Sequence, residues 1–128
     1  TLRNLELTET LYEKKTDGSL LGVLDKTHTA MGSRKMKQWI REPLNDPALI
    51  NDRLDGVEEL YSQIIIRNNI KEALKGIYDF ERLSGRIASG NANGKDMIAL
   101  RNSIRLLPDI KDALGYARSH ILKNIDSL

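Results

Sequence analysis

The segment GNANGKD, residues 90–96, has the composition of the glycine-rich loops that bind nucleotide phosphates. Such loops follow the pattern G-x-x-x-x-G-K-[ST], in which backbone N–H groups surround the phosphates and the hydroxyl binds magnesium. Here only three residues separate Gly90 from Gly94, Asp96 replaces the hydroxyl, and a helical pattern precedes the loop where a strand is required. The segment is therefore interpreted as a turn between two helices, with Asn93 or Asp96 as the cap of the second.

Metal and thiol chemistry have no clear residues in this chain. There is no cysteine, which excludes disulfides, thiolate nucleophiles and cysteine-ligated zinc, and which fits a reducing, cytoplasmic setting. His28 and His120 have no partner at ligand spacing, so a metal site would need carboxylates from distant segments. We expect His28 to lie in a loop and His120 on a helix surface.

The acidic residues Asp79 and Glu81 stand beside Arg82 and Arg86. Paired carboxylates can serve as general acid and base, but this spacing favours local ion pairs at the start of a helix. The sequence also contains no Ser-His-Asp pattern and no nucleophile elbow. Because no catalytic constellation is present, we predict that this chain is not itself an enzyme.

The segment MGSRKMKQWIREPL, residues 31–44, raises the possibility of nucleic-acid binding. On a helical period Arg34, Lys37 and Arg41 share one face, where they could contact DNA phosphates through weak, salt-sensitive interactions. The alternative is a solvated basic face on a packed helix, which is typical of such charge runs. Trp39 shares the opposite face with other apolar residues, so we interpret it as a core anchor and not as a stacking platform.

The elements that would position these residues are helical. One short strand or extended segment is predicted at RNLEL, followed by a turn at Asp17-Gly18 and a short helix capped by Ser19. A second helix is predicted from Ala30 to Arg41, ending before Pro43. Gly32 on its apolar face suggests a close approach by a neighbouring helix.

Four further helices follow from caps and apolar spacing. Asp46 and Pro47 mark the start of the first, and the apolar spacing in IRNNIKEALKGI, residues 66–77, predicts the second. Asp79 precedes the third, and the turn at residues 90–96 separates that helix from the fourth. Pro108 either begins a further helix or kinks the preceding one. We predict an all-α, multi-helix core whose residues include Leu24, Met36, Trp39, Ile40, Leu54, Val57, Phe80, Leu83 and Ile87.

The composition bounds the class of protein. A length of 128 residues with 40% hydrophobic and 30% charged residues predicts one folded domain over residues 1–128. A net charge of +2 is too small to indicate nucleic-acid binding by itself, and no apolar run reaches the length of a membrane helix. The first residues lack an initiator Met and a signal-peptide pattern, so we expect a piece of a longer protein.

Several blocks resemble the core domain of the MutS family of DNA mismatch-repair proteins. They include TAMGSR, WIREPL and DFERLSGRI, and the resemblance extends from about Arg3 to Lys111 and weakens from Asp112 onward. It implies the first of two separated segments of a helical core domain that carries the lever helices, joining a DNA clamp to a carboxy-terminal ATPase. It does not extend to the family's mismatch-reading Phe-x-Glu signature, because Phe80 is followed by Glu81 and Arg82.

The resemblance also implies the surroundings of this segment. We expect no cofactor in the chain itself, and ATP and Mg²⁺ in the parent protein. The expected partners are the clamp, ATPase and connector domains, mismatched duplex DNA bound through the parent, and a second copy of the parent in a homodimer, with no membrane. The parent is expected in the bacterial cytoplasm, associated with DNA.

Two other functions stay open at this point. The chain could be an autonomous, non-specific DNA-binding module that uses Arg34, Lys37 and Arg41. It could also be the core of a MutS-related paralogue that lacks the mismatch-reading domain, since such paralogues share this helical core.

Overall fold

A computed structural model describes residues 2–126 of the chain, and within this range all regular structure is helical. The chain divides into two compact units, the first ending at Leu44 and the second beginning at Asn45. The elements are a 3₁₀ helix at Leu2–Leu5 and the α-helices α1 (Leu20–Leu24), α2 (Ala30–Arg41), α3 (Pro47–Ser62), α4 (Ile64–Lys75), α5 (Phe80–Ala88), α6 (Gly94–Arg105), α7 (Leu107–Leu114) and α8 (His120–Asp126). The all-α prediction is confirmed, and the assignment of residues 1–128 to one domain stays a prediction.

The amino-terminal segment is not a strand. RNLEL was predicted as a strand or extended segment, and the structure instead has the 3₁₀ helix Leu2–Leu5 followed by Glu6 at a positive φ of 47°. The carbonyl groups of Glu6 and Leu7 accept hydrogen bonds from the N–H groups of Leu20 and Leu21, at 3.2 and 2.9 Å. This backbone therefore supports the start of α1, and no second strand exists among the described residues for it to pair with.

The first unit confirms two predicted helices. Ser19 caps α1 by accepting a hydrogen bond from the Gly22 N–H at 3.2 Å, and Thr29 caps α2 by accepting one from Gly32 at 3.0 Å. The bounds of α2 agree with the prediction. Gly32 is not approached by another helix, however, since a Cβ there would meet Thr27 Cβ at 3.1 Å in the loop before α2.

The second unit is organised by strong caps and one polar link. Asp46 caps α3 with Pro47 at its first turn, as the sequence predicted. Of the two predicted cap candidates, Asn93 is the cap of α6 and forms a reciprocal box with Asp96. Pro108 lies at the start of α7, so it begins that helix and does not kink α6. The Tyr78 N–H donates to the fully buried Ser103 Oγ at 2.9 Å, which fixes the α4–α5 connection against α6.

The core of the second unit forms where α7 and α8 meet α3 and α4. Its centre consists of three buried residues, and four half-buried ones pack against them: Leu114, Ala117 and Leu122 at the centre, with Leu60, Ile70, Ile110 and Ile121 around it. Within the described residues Leu83, one of the predicted core positions, is also buried. Apolar burial at this junction is the main stabilising contribution to the unit.

Most predicted core residues are not buried within this chain. Met36, Ile40 and Phe80 are half-buried, and five others are exposed: Leu24 at 47%, Trp39 at 38%, Leu54 at 56%, Val57 at 63% and Ile87 at 41%. In α1 only Leu21 is buried, whereas Leu20 and Val23 are exposed. Apolar periodicity identifies the face of a helix that is suited to packing, but it does not say whether this chain supplies the surface that covers it.

Candidate functional site

The three predicted phosphate contacts lie on one helix of the first unit. Arg34, Lys37 and Arg41 are three and four residues apart on α2, so they form a continuous stripe. Arg34 and Arg41 are exposed, and Lys37 is half-buried. The structure thus brings the three cations together on one face, while their contact with DNA phosphate stays a prediction.

The carboxy-terminal end of this stripe is not purely cationic. Arg41 and Lys14 line a cleft of about 420 Å³ together with the carboxylates Glu9 and Glu42. Glu42 also accepts a hydrogen bond from Gln38 Nε2 at 3.2 Å. Because two acidic and two basic side chains share this cleft, its local potential is weaker than that of a basic patch.

The exposure of Trp39 is intermediate between the values expected for the two roles considered for it, a core anchor and a stacking platform. Its side chain is 38% exposed and has a contact within the described part of the chain. A core anchor would be almost fully buried, whereas a platform for base stacking needs an open ring face.

A polar network at Asp25, not identified from the sequence, fixes the connection between α1 and α2. The carboxylate of Asp25 accepts hydrogen bonds from the Ser33 hydroxyl, from the Thr27 hydroxyl at 2.6 Å and from the Thr27 N–H at 3.0 Å. These bonds, first the one from Ser33, lower the pKa of Asp25 below its ordinary value. The network holds the amino-terminal end of α2 in place.

A second polar contact joins α3 to α8 across about half of the chain. Glu59 on α3 accepts hydrogen bonds from the backbone N–H groups of Arg118 and Ser119, at 2.6 and 2.7 Å. The Ser119 carbonyl accepts the first helical bond of α8, from Lys123, so Glu59 binds the N–H groups at the start of that helix.

This contact changes the titration of Glu59. The Ser119 side chain, which lies near the carboxylate without reaching full hydrogen-bond geometry, and then the Ser119 N–H lower the pKa of Glu59. The negative charge is also favourable at the positive end of the α8 dipole. No local sequence signal could have revealed this pairing, because the contacting residues are 59 and 60 positions apart.

Two neighbours of Glu59 extend the contact along α3. Gly56 is buried, and a Cβ at this position would lie 2.6 Å from Ile121 Cγ2, so only glycine permits this approach of α8. Asp52 Oδ1 lies 3.2 Å from His120 Nδ1 and forms an ion pair when the imidazole is protonated. We refer to Asp52, Gly56 and Glu59 as the α8 face of α3.

The α5–α6 connection confirms the turn predicted at residues 90–96. Gly90 has a φ of +70°, Asn93 and Asp96 form the cap, and the loop joins two helices instead of a strand and a helix. Arg86 forms an ion pair with Asp96 at 3.0 Å. The geometry is that of a structural hairpin.

The described residues show no cluster of side chains that could bind a metal ion. No group of three or more His, Asp or Glu side chains converges at metal-binding distance within residues 2–126. His28 lies in a loop and His120 is exposed on α8, as predicted. None of the helices in this range has the combined length and apolar character of a membrane span.

Comparison with known proteins gives one family. The sequence model of MutS domain III matches residues 1–127. Each of three similar curated proteins is named "DNA mismatch repair protein MutS". The one from Alkaliphilus metalliredigens is 50% identical over 132 aligned positions and all of this chain, that from Clostridium perfringens is 52% identical over 95% of the chain, and that from Desulforamulus reducens is 53% identical over 96%.

The relatives are much longer than this chain. The aligned region makes up 15%, 13% and 14% of the three relatives respectively, so the chain spans about one seventh of their length. The family model nevertheless covers nearly every residue and extends past Lys111, where the resemblance seen in the sequence weakened. The chain therefore belongs to the MutS domain III family.

Proposed function

We propose that this chain is a structural segment of a DNA mismatch-repair ATPase, in which it couples the ATPase domain to the DNA clamp. The observation that supports this role is an exposed apolar stripe on α3, formed by Ile50, Leu54, Val57 and Tyr61. These side chains are 37%, 56%, 63% and 77% exposed. A stripe of this kind is a surface for packing and has no chemistry of its own.

The spacing of the stripe suits one long helix as its partner. Successive members are four, three and four residues apart, which is the seam that one helix presents to another in coiled-coil-like packing. The stripe extends over the twelve residues from Ile50 to Tyr61, or roughly 16 Å of helix. About six sevenths of the relatives' length lies outside the region matched here, so the proposed occupant is a helix from another part of the parent.

The opposite side of α3 supplies the stiffness that such a role needs. Glu59 and Gly56 fix α8 against α3, and α4 packs extensively against α7. A body that moves as one unit can transmit a displacement from one attached domain to another, provided that the assembly has two discrete arrangements. The proposed transmission therefore depends on polar contacts inside the unit and apolar contacts at its surface.

The parent protein would supply the chemistry. We propose that ATP and Mg²⁺ bind in its ATPase domain, and that mismatched duplex DNA is bound through other domains of a homodimeric, cytoplasmic parent. The clamp, ATPase and connector domains are the proposed partners of this segment.

The proposal can be tested with paired substitutions on α3 in the full-length parent. Leu54→Asp with Val57→Asp should leave ATP binding intact and abolish ATP-dependent clamp closure on DNA, because two charges cannot be buried against a partner helix. Asp55→Asn with Glu58→Gln, on exposed neighbours of the same helix, is the control. Normal clamp closure in the aspartate variant, or in a parent from which the whole segment is deleted, would contradict the proposal.

A second candidate is an autonomous DNA-binding module, which the shared stripe of Arg34, Lys37 and Arg41 favours. It predicts that the isolated chain binds duplex DNA at low salt and loses affinity steeply as salt rises. The triple substitution to glutamine should remove this binding, while Arg101→Gln with Arg105→Gln on α6 should retain it. Absence of binding by the wild-type chain at low salt would eliminate this candidate.

A further inference from the structure

The second unit contains a long groove between α4 and α7 that the proposed function does not use. Its volume is about 760 Å³, and its apolar lining consists of Ile65, Ile66, Ala73, Leu106, Ala113 and Tyr116. Ile66 and Ala113 are buried, whereas Ile65 and Tyr116 are each 77% exposed. The groove therefore has a packed floor and two large apolar side chains at its edge that are open to solvent.

The rim of this groove carries charge of one sign. Three carboxylates line it, those of Glu72, Asp109 and Asp112, and among the described residues no lysine or arginine lines it. Glu72 forms an ion pair with Lys75 at 2.7 Å, but Asp109 and Asp112 have no ion pair or hydrogen bond through their side chains in the described part of the chain.

The position of Asp112 adds to this imbalance. It lies in the last turn of α7, where a negative charge opposes the helix dipole, and only three residues from Asp109, which repels it. A cation placed over the groove would relieve both unfavourable interactions. The two aspartates consequently favour a positively charged occupant.

The groove differs in composition from the apolar stripe on α3. Permanent interfaces are mainly apolar, whereas exchangeable ones combine an apolar centre with a charged rim. The four side chains of the α3 stripe carry no charge, which fits a permanent neighbour, while the groove has the apolar floor and acidic rim of an exchangeable site. We propose that the α4–α7 groove binds a cationic amphipathic helix of a separate partner protein.

The dimensions fit this occupant. The lining residues run from Gln63, just before α4, to Ala73, and from Leu106, just before α7, to Tyr116, just after it. Each run covers eleven positions, or ten steps of 1.5 Å, and the resulting length of about 15 Å accommodates roughly three turns of a bound helix. Its apolar side chains at i, i+3 or i+4, and i+7 would enter the groove, and lysine or arginine on its flanks would face Asp109 and Asp112.

A synthetic peptide of about three helical turns, with leucine on one face and lysine along its flanks, is the direct probe. Its binding to the 128-residue chain can be measured by fluorescence anisotropy at low salt. A peptide with glutamate in place of lysine tests the charge, and one of the same composition in shuffled order tests the apolar face. We expect binding of the lysine peptide alone, weakening as salt is added.

Variants of the chain locate the site. Asp109→Asn with Asp112→Asn should weaken binding roughly 5- to 30-fold, and Ile65→Ser should weaken it through loss of an apolar contact. Asp55→Asn with Glu58→Gln removes two exposed carboxylates at the same spacing on α3 and should leave the affinity unchanged. Circular dichroism checks that every variant has the helix content of the wild type.

Three results would overturn the proposal. The first is equal binding of the lysine, glutamate and shuffled peptides, or no binding of any of them. The second is unchanged affinity in the Asp109→Asn/Asp112→Asn variant. The third is binding by the isolated chain but not by the full-length parent, which would mean that the parent's own structure covers the groove. This third result leaves the α3 proposal intact, because the two surfaces are probed by different substitutions.

Discussion

The two faces of α3 contrast in the way they are used. The α8 face, Asp52, Gly56 and Glu59, is polar or small and makes specific contacts with α8. The opposite face carries the apolar stripe and is exposed. Residue type alone would predict the reverse, because apolar side chains are the usual core of a helix packing.

A helix face can pack against the same chain, or it can remain available for a surface that the chain does not provide. On the α8 face, the absence of a side chain at Gly56 and the hydrogen bonds accepted by Glu59 allow α3 and α8 to approach closely. In the stripe, four large apolar side chains remain available for a surface that this chain does not provide. A stripe in a sequence thus indicates where packing occurs, and only the structure shows whether the partner belongs to the same segment.

The largest expected effect on the free energy of unfolding comes from a Leu→Ala substitution in the core beside the α8 face, compared with the same substitution in the exposed stripe. Leu122→Ala, at a buried core position beside the α8 face, should lower the free energy of unfolding of the chain by about 2 to 5 kcal/mol through cavity formation. Leu54→Ala in the exposed stripe should lower it by less than about 1 kcal/mol. Urea unfolding followed by circular dichroism measures both, and similar losses would mean that the two faces are equally buried.

Two Gly→Ala substitutions should change the free energy of unfolding in opposite directions. Gly56→Ala should destabilise the chain by about 1 to 2 kcal/mol, because the new methyl group would clash with Ile121. Gly85→Ala in α5 has open space around it and should stabilise by about 0.5 to 1 kcal/mol through helix propensity. If Gly56→Ala also stabilised in thermal unfolding, the close approach of α8 would be refuted.

Removing the charge of Glu59 should have a moderate effect. Glu59→Gln keeps one acceptor oxygen but loses the charge that stabilises the start of α8, at a cost of about 1 kcal/mol. Glu58→Gln, on the exposed neighbour, serves as the control and should change the unfolding free energy by less than about 0.5 kcal/mol. Equal losses of unfolding free energy at the two positions in chemical denaturation would show that Glu59 does not stabilise the contact with α8.

The pH dependence of Glu59 is the smallest effect and follows from its lowered pKa. A depressed pKa contributes stability above the unfolded value of about 4.3, and this contribution is lost as the pH falls through the folded value. The stability difference between the wild type and Glu59→Gln should therefore be full at neutral pH and shrink in the acidic range below about 4.3. A stability difference that stayed constant down to acidic pH would contradict the hydrogen bonding of the Glu59 carboxylate to the start of α8.

Local signals in the sequence predicted much of the helical framework. Ser19 and Asp46 were recognised as caps and Asn93 as one of two candidates, since a cap depends on residues within one turn, and the bounds of α2 were correct. RNLEL was wrongly assigned because two alternating leucines favour a strand only when a second strand is available.

The site could be predicted only in part. Arg34, Lys37 and Arg41 share a face, as the helical period required, but Glu9, one of the two carboxylates in the cleft with Arg41, comes from the amino-terminal segment and was not foreseen. The bond from Glu59 to the start of α8 joins residues that no sequence period connects.

The central claim is that the α3 stripe packs against the rest of the parent and not within this chain. The most direct measurement is the unfolding free energy of Leu54→Asp/Val57→Asp, determined in the 128-residue chain and in the full-length parent. We predict a change of less than about 1 kcal/mol in the chain and a loss of several kcal/mol for the transition that includes this segment in the parent. A large loss in the isolated chain, or none in the parent, would contradict the claim.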